Sequence, residues 1–288
     1  MGNYLKMVQV SLFGGLGNQL FQYATAKNLA RLNNAELYLC LDWFDQDFKN
    51  TTKRIFDLEY FNIKYKRTSG LKPRVLSKIW KPYYLGEKSP FSYNQELLNL
   101  RHRNIWLSGN WSFFSYFDDI KDQLREEIQP KSVNVENKLI LEEIVNTNSV
   151  SVHIRRGDYS SNNLFCILDQ AYYIEAISKV RERADSPIFY IFSDDLDFVK
   201  RSFQGENFRI VDVNQGSDSY MDLYLMSQCQ HNITANSTFS WWAAYLNANP
   251  DKMIIAPQKW YQEDNTYYIE NKDIASEGKF YPQEWIVL

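Results

Sequence analysis

Val8, Val10 and Leu12 alternate with less apolar neighbours, the period of a strand that buries one face. Residues 13–17 are rich in glycine. From Asn18 the apolar spacing lengthens, with Leu20 four residues before Ala24 and Ala26 followed by Leu29 and Ala30. That change of period predicts strand, turn and helix in succession. Leu37, Leu39 and Leu41 alternate again and close a β-α-β unit, which favours a parallel sheet with a right-handed crossover.

Residues 42–104 are less regular. They carry charge, Pro73, Pro82, Pro90 and many rings, and read as loops and short helices over the sheet. Residues 105–107 predict a strand. Phe117, Ile120, Leu124 and Ile128 recur at helical spacing until Pro130 stops the helix, and 136–145 predicts another. A short polar stretch at 146–149 marks the expected domain boundary, giving domains 1–147 and 148–288, with the C-terminal segment able to pack back on the first. Alternation then resumes, with strands over 149–154, 188–192, 210–213, 232–235 and 253–256 and helices over 170–184, 219–229 and 240–246. Strands alternating with helices define an α/β class. Two such runs with a break predict two Rossmann-like domains facing each other across a cleft.

Composition narrows the function. The chain has 288 residues, of which 44% are hydrophobic and 23% charged, enough apolar material for a real core. The net charge of -3 disfavours nucleic acid as a partner. Aromatic residues reach 16%, which suits both a ring-rich core and a groove where flat rings face sugars. Cys40, Cys166 and Cys229 are odd in number and scattered, as expected in a reducing compartment. No basic leader followed by a long apolar run opens the sequence, and no run is long enough to span a membrane. A cytoplasmic location is expected, at most peripheral to an inner membrane. The sequence does not specify an oligomeric state.

Four motifs carry candidate chemistry. Phe13-Gly14-Gly15-Leu16-Gly17-Asn18-Gln19-Leu20 joins a strand to a helix. Gly15, Gly17, Asn18 and Gln19 read either as an anion cradle at a helix N-terminus or as a tight structural turn. Leu20 stands where the dinucleotide fingerprint needs its third glycine, so the motif is not that fingerprint. His153-Ile154-Arg155-Arg156-Gly157-Asp158-Tyr159 ends the first strand of the second half. Paired arginines at a strand's carboxyl end suit a pyrophosphate; a loop-fixing salt bridge, for instance between Arg156 and Asp158, is the structural alternative. Strand parity sets His153 and Arg155 on one face and Arg156 on the other.

Phe192-Ser193-Asp194-Asp195-Leu196-Asp197 follows another apolar strand. Asp194 or Asp195 is positioned to accept the N1 and N2 protons of guanine. Two other readings stand beside this: a metal site at Asp195 and Asp197, and a helix cap at Ser193 or Asp194. Finally, Asn236, Ser237, Thr238 and Ser240 lead from a strand into a helix and read as a second anion cradle, or as a plain cap with Trp241 and Trp242 in the core. His102 and His231 match no ligand pattern and read as structural.

Together, in this order and across nearly the whole chain, these motifs resemble glycosyltransferase family 11, the α-1,2-fucosyltransferases. The arginine motif also looks like that of α-1,6- and protein O-fucosyltransferases. The resemblance implies a two-domain GT-B fold, GDP-fucose as co-substrate, no cofactor, no required metal, inversion at the anomeric carbon, and a galactose-containing oligosaccharide or glycan as acceptor. It further implies that Arg155 holds the β-phosphate of the leaving GDP, helped by His153 and Ser240, and that Asp195 contacts guanine. A bacterial member without the animal enzymes' anchor and stem is expected. Asp158 is the candidate base, since it follows the arginines on one loop. Trp80, Tyr83, Tyr84, Trp106 and Trp111 in the N-terminal half are candidate acceptor platforms. The rival readings are a metal-dependent GT-A transferase, a protein O-fucosyltransferase and a non-catalytic carbohydrate-binding protein.

Overall fold

The computed structural model describes residues 6–46, 54–68, 83–87, 89, 92–157, 159, 164–266 and 280–288. It divides into two compact units. The first comprises the described residues up to Ile128 with Phe280 and Tyr281; the second runs from Gln129 and includes Pro282–Leu288.

The first unit is a parallel sheet of β1 (Met7–Ser11), β2 (Glu36–Cys40), β3 (Lys66–Thr68), β4 (Tyr83–Gly86) and β5 (Asn104–Ser108). Its order is β3-β2-β1-β5-β4. The predicted alternation holds: Val8, Val10 and Leu12 are fully shielded, and α1 (Leu16–Asn33) packs on β1. This helix is buried well beyond its apolar stripe, because its polar side chains bind the loops around it. Gln22 bonds the N–H and C=O of Phe13, Asn28 donates to Tyr116 O at 2.8 Å, and Asn33 donates to Leu100 O at 3.1 Å. Asn34, at φ 49°, ends the helix in the left-handed conformation that asparagine tolerates.

The stretch 42–104 contributes more than loops and short helices: β3 and β4 are the two edges of this sheet. Three- and four-residue edge strands with exposed side chains show no readable period. The helix expected over 117–128 starts late, since Asp118–Ile120 is a 3-10 turn that leads into α2 (Lys121–Glu127).

The second unit opens with α3 (Val135–Val145), capped by Asn134, whose side chain accepts the Asn137 N–H at 2.9 Å. Its strands are β6 (Ser149–Ile154), β7 (Ile188–Ser193), β8 (Phe208–Val211), β9 (His231–Ile233), β10 (Ile254–Ala256) and β11 (Ile286–Val287). The helices between them are α4 (Gln170–Arg181), α5 (Leu196–Ser202), α6 (Ser219–Gln228) and α7 (Thr238–Leu246). All strands are parallel, in the order β11-β10-β9-β6-β7-β8. Every residue of β6 is buried, as a central parallel strand requires. Val150, Val152, Phe189, Ile191 and Ile233 form the core with Ala176 and Val180 of α4.

The units divide at Ile128 and Gln129, before α3, rather than at 147 and 148. The side chains explain why. Asn137 of α3 and Asn214 exchange reciprocal amide hydrogen bonds of 2.8 Å, and Asn214 also donates to Asp222 of α6. No helix among the described residues is long and apolar enough to cross a membrane.

Candidate functional site

In the second unit β6 lies between β7 and β9. From β6 the chain builds outward through β7 and β8, then returns to lay β9 on the other side. β6 and β9 therefore flank a topological switch point, where the loops leaving adjacent strands diverge and open a crevice at the carboxyl ends. The arginine motif leaves β6, the hydroxyl-rich motif leaves β9, and the aspartate motif leaves β7 beside them. Three sequence motifs thus meet at one end of one sheet.

Arg155 Nη1 lies 3.1 Å from Asp194 Oδ2, with both side chains about one-quarter exposed (23% and 24%). The Arg156 backbone N–H donates to Asp194 Oδ1 at 2.9 Å, so one carboxylate holds the start of the loop twice. A Cβ at Gly157 would fall 2.8 Å from Asp194 Oδ2, so a larger residue there would displace that carboxylate. Arg156 Nε donates to Asp195 Oδ2 at 3.2 Å, and its guanidinium stacks 3.9 Å over the Phe198 ring. Each arginine thus pairs with one aspartate of the β7 loop, Arg155 with Asp194 and Arg156 with Asp195. Asp158 lies outside the described residues.

Asp195 is committed elsewhere than the guanine and metal readings assumed. Its Oδ1 accepts the Phe198 N–H at 3.0 Å as the cap of α5, while Oδ2 holds Arg156. A cap is observed, but at Asp195 rather than at Ser193 or Asp194, and Ser193 Oγ instead accepts the Asp195 N–H at 3.0 Å. No group of three or more potential metal-ligating side chains occurs among the described residues.

His153 is buried at the end of β6, 5.6 Å from the Phe239 ring. Burial first, then the neighbouring Arg155 charge, push its pKa down to about 3, against a smaller upward pull from Asp194. The imidazole is neutral at physiological pH, and its Nδ1 has no hydrogen-bond partner among the described residues. Across the switch point, Asn236 is fully buried. Its Nδ2 donates to Cys166 O at 2.8 Å and Trp260 O at 3.0 Å, its carbonyl accepts the Tyr159 hydroxyl at 2.9 Å, and its Oδ1 is unpartnered. Thr234 Oγ1 is likewise buried without a partner. Buried polar atoms are almost always paired, so three unpartnered ones on β6 and the segment after β9 are a feature of this end of the sheet.

Ser237 caps α7, accepting the Phe239 N–H, and Thr238 is the first residue of that helix. Ser240 does not present its hydroxyl to a ligand. The hydroxyl is buried, accepts the Ala235 N–H at 3.1 Å and donates to Ser237 O at 3.4 Å. It shapes the cradle from behind. Trp241 and Trp242 are core residues, stacked among Tyr245 and Trp285. His231 Nδ1 accepts the Met253 N–H and His102 Nδ1 sits 2.8 Å from Asn104 O, both of them structural contacts.

The glycine motif belongs to the first unit, where it follows β1 at that sheet's own switch point between β2 and β5. Gly14 has φ 79°, and a Cβ there would strike Asn18 Nδ2 at 2.8 Å. Gly15 is the cap position of α1 and Gly17 is buried in its first turn. Gln19 is fully shielded and works as a clamp. Its Nε2 donates to Gly14 O at 3.0 Å and Ile55 O at 2.8 Å, and its Oε1 accepts the Asp57 N–H at 2.9 Å. Sequence reasoning missed this second partner of the loop, because Arg54 and Asp57 sit in a segment with no motif and no period. Among the candidate acceptor rings, Trp111 is buried, while Tyr83 and Tyr84 are exposed, with Tyr84 edge-on to Trp106. Trp80 lies outside the described residues.

Two parallel sheets, each with its motif loop at its own switch point, define an α/β architecture of two units rather than a single-sheet one. The sequence profile of Glycosyl transferase family 11 matches residues 2–287, and the chain belongs to that family. It is 31% identical to the O-antigen biosynthesis glycosyltransferase WbnK of Escherichia coli over 88% of this chain and 95% of that protein. It is 33% identical to an Escherichia coli alpha-1,2-colitosyltransferase over 90% and 94% respectively. Human galactoside alpha-(1,2)-fucosyltransferase 1 is 28% identical over 84% of this chain and 66% of its own length. The protein is accordingly a glycosyltransferase, which removes the non-catalytic reading.

Proposed function

We propose that this protein moves L-fucose from GDP-fucose to the 2-hydroxyl of a terminal galactose in an oligosaccharide or glycan, with inversion. The observation that carries the reading is the pair of arginines at the carboxyl end of β6, facing the start of α7 across the switch point. Arg155 is partly exposed at the carboxyl end of β6 and paired with Asp194, and a guanidinium there can fork onto a β-phosphate. As the bond from the anomeric carbon to phosphate breaks, negative charge grows on GDP. Arg155 and the α7 N-terminus at Thr238 stabilise that growing charge. His153 stays neutral, so it contributes a hydrogen bond rather than charge. Arg156 and Asp195 hold the loop in place, and Ser240 holds the cradle's backbone.

A second reading concerns the donor. The similarity to the alpha-1,2-colitosyltransferase supports a 3-deoxy analogue of fucose as the transferred sugar, with the same phosphate site and the same linkage. The test is to incubate the purified protein in EDTA with GDP-fucose or GDP-colitose and a panel of galactose-terminated oligosaccharides. GDP release and product linkage are both followed. An α-1,2-fucosylated product supports the first reading and an α-1,2-colitosylated product alone supports the second. Transfer that appears only with Mn²⁺, or only to a peptide, overturns both.

A further inference from the structure

Burial raises the pKa of two carboxyl groups that are spent on structure. Glu87, pushed up to about 7, accepts the backbone N–H groups of Asn110 at 2.6 Å and Trp111 at 3.0 Å and so fixes the turn after β5. Asp222, also pushed up to about 7, accepts from Asn214 at 2.8 Å in the second unit's α3–α6 network. A group of rings beside Arg155 is of another kind. Tyr159, Phe165 and Tyr261 are each only partly buried and lie outside the core.

These rings form a stacked column within the second unit. The Tyr159 and Phe165 centroids are 4.7 Å apart with planes 11° from parallel, and those of Phe165 and Tyr261 are 5.5 Å apart at 29°. The backbone explains the stacking, since Phe165 and Tyr261 form an antiparallel bridge. Beside it, the Cys166 N–H donates to Trp260 O at 3.1 Å and the Gln262 N–H to Leu164 O at 2.9 Å. The chain beyond β6 is thus joined to the chain beyond β10, the strands on either side of β9. Asn236, just after β9, ties the junction down by donating its side-chain amide to Cys166 O and Trp260 O.

The column ends at Arg155, whose guanidinium lies 5.7 Å from the Tyr159 ring centroid, within the range of a cation–π contact. Tyr159 is itself anchored twice, by the Phe165 ring and by its hydroxyl, which donates to Asn236 O at 2.9 Å. A partly exposed ion pair such as Arg155–Asp194 is weak and restrains a long side chain little. A fixed ring beside the guanidinium restrains it further, and a guanidinium already held in place loses less freedom when a ligand binds. We infer that Tyr159 is a positioning residue of the donor site: its ring, backed by Phe165 and Tyr261, holds the Arg155 guanidinium in the orientation that receives the diphosphate. The inference rests on the donor reading proposed above, and every residue in it belongs to the second unit.

The experiment is a double-mutant cycle read by titration calorimetry with GDP, on the wild type, Tyr159→Leu, Arg155→Ala and the two substitutions combined. Tyr159→Leu should weaken GDP binding about 3–10-fold, the scale of one cation–π contact. Tyr159→Phe, which keeps the ring and loses only the hydroxyl, should recover most of that affinity. In the Arg155→Ala background Tyr159→Leu should have no further effect, because a ring that acts through Arg155 then has nothing to hold. A ring with a purely structural role would lower affinity by the same factor in both backgrounds. Equal GDP affinity in the wild type and Tyr159→Leu, or equal losses in the two backgrounds, overturns the assignment. If Tyr159→Leu does not fold, Phe165→Leu alone and combined with Arg155→Ala decides, and an unchanged affinity or equal losses again overturn it. A wild type that binds no GDP overturns the donor reading and this inference with it, an outcome distinct from a wild type that binds GDP and a variant that binds it equally well.

Discussion

The two units share a plan and use it differently. In each, the first strand lies at a switch point and a motif loop leaves its carboxyl end. In the first unit the loop is largely answered from within. Gln19 ties Gly14, Ile55 and Asp57 together, and glycine at 14 leaves room for Asn18. In the second unit the loops keep charge and unmet polar atoms: Arg155 on a partly exposed carboxylate, His153 Nδ1, Asn236 Oδ1 and Thr234 Oγ1. Hydrogen bonds from Gln19 give the first loop its shape, while the second unit's loops bring a partly exposed arginine to the carboxyl end of their sheet. A motif's position in the fold therefore does not tell its task; what its neighbours leave exposed does.

The largest expected effect breaks this contrast from the second unit. Arg155→Ala should lower kcat/KM by about 10²–10³-fold, the scale of a lost oxyanion donor. Its melting temperature should hardly move, because a partly exposed ion pair contributes only about 0–1 kcal/mol. Steady-state GDP release and a thermal melt check both halves. Gln19→Ala should do the reverse. Removing the buried amide strands the Asp57 N–H and two carbonyls, costing about 1–3 kcal/mol per unsatisfied group in urea unfolding, with a smaller loss of rate than Arg155→Ala. If Gln19→Ala stays stable but loses all transfer, the first loop is a binding loop and the contrast is wrong.

Ser237→Ala and Ser240→Ala sharpen the second unit itself. Loss of the α7 cap at Ser237 should cost about 1 kcal/mol of stability. Ser240→Ala should cost a similar amount through its loop contacts, and urea unfolding measures both. Transfer by Ser240→Ala should remain far closer to wild type than transfer by Arg155→Ala.

A further set of effects is in pH. His153 has its pKa lowered in the folded state, so its contribution to stability is full above pH 6.5 and is lost as pH falls toward 3. Glu87 has its pKa raised to about 7, so its contribution is full below pH 4.5 and is lost as pH rises through 7. In melts between pH 5 and 8, His153→Asn should flatten the acid side and Glu87→Gln the alkaline side.

Much of this was legible in the chain. β6 and the helices α4, α6 and α7 follow from period and caps, because long buried elements leave a strong pattern. The arginine and hydroxyl motifs pointed to one crevice. What the sequence could not carry were pairings made across the sheet. Asp195 reads as a ligand group in isolation, yet its oxygens go to the α5 cap and Arg156. Ser240 reads as a donor hydroxyl until Ala235 and Ser237 are seen to take it. The edge strands β3 and β4 are too short for a period, and Asp57 comes to the glycine loop only through Gln19, thirty-eight positions away. The unit boundary was drawn at the polar stretch after α3, whereas the buried Asn137–Asn214 pair sets it before that helix.

Titration calorimetry of GDP against the wild type and Arg155→Ala tests the central claim, that the second unit's switch point holds the donor's diphosphate. GDP should bind the wild type with saturation, and the substitution should weaken it by about tenfold or more, as expected for a charge-assisted bond worth about 1.5–3 kcal/mol. Equal affinity in the two proteins would contradict the account, because the diphosphate would then lie away from Arg155.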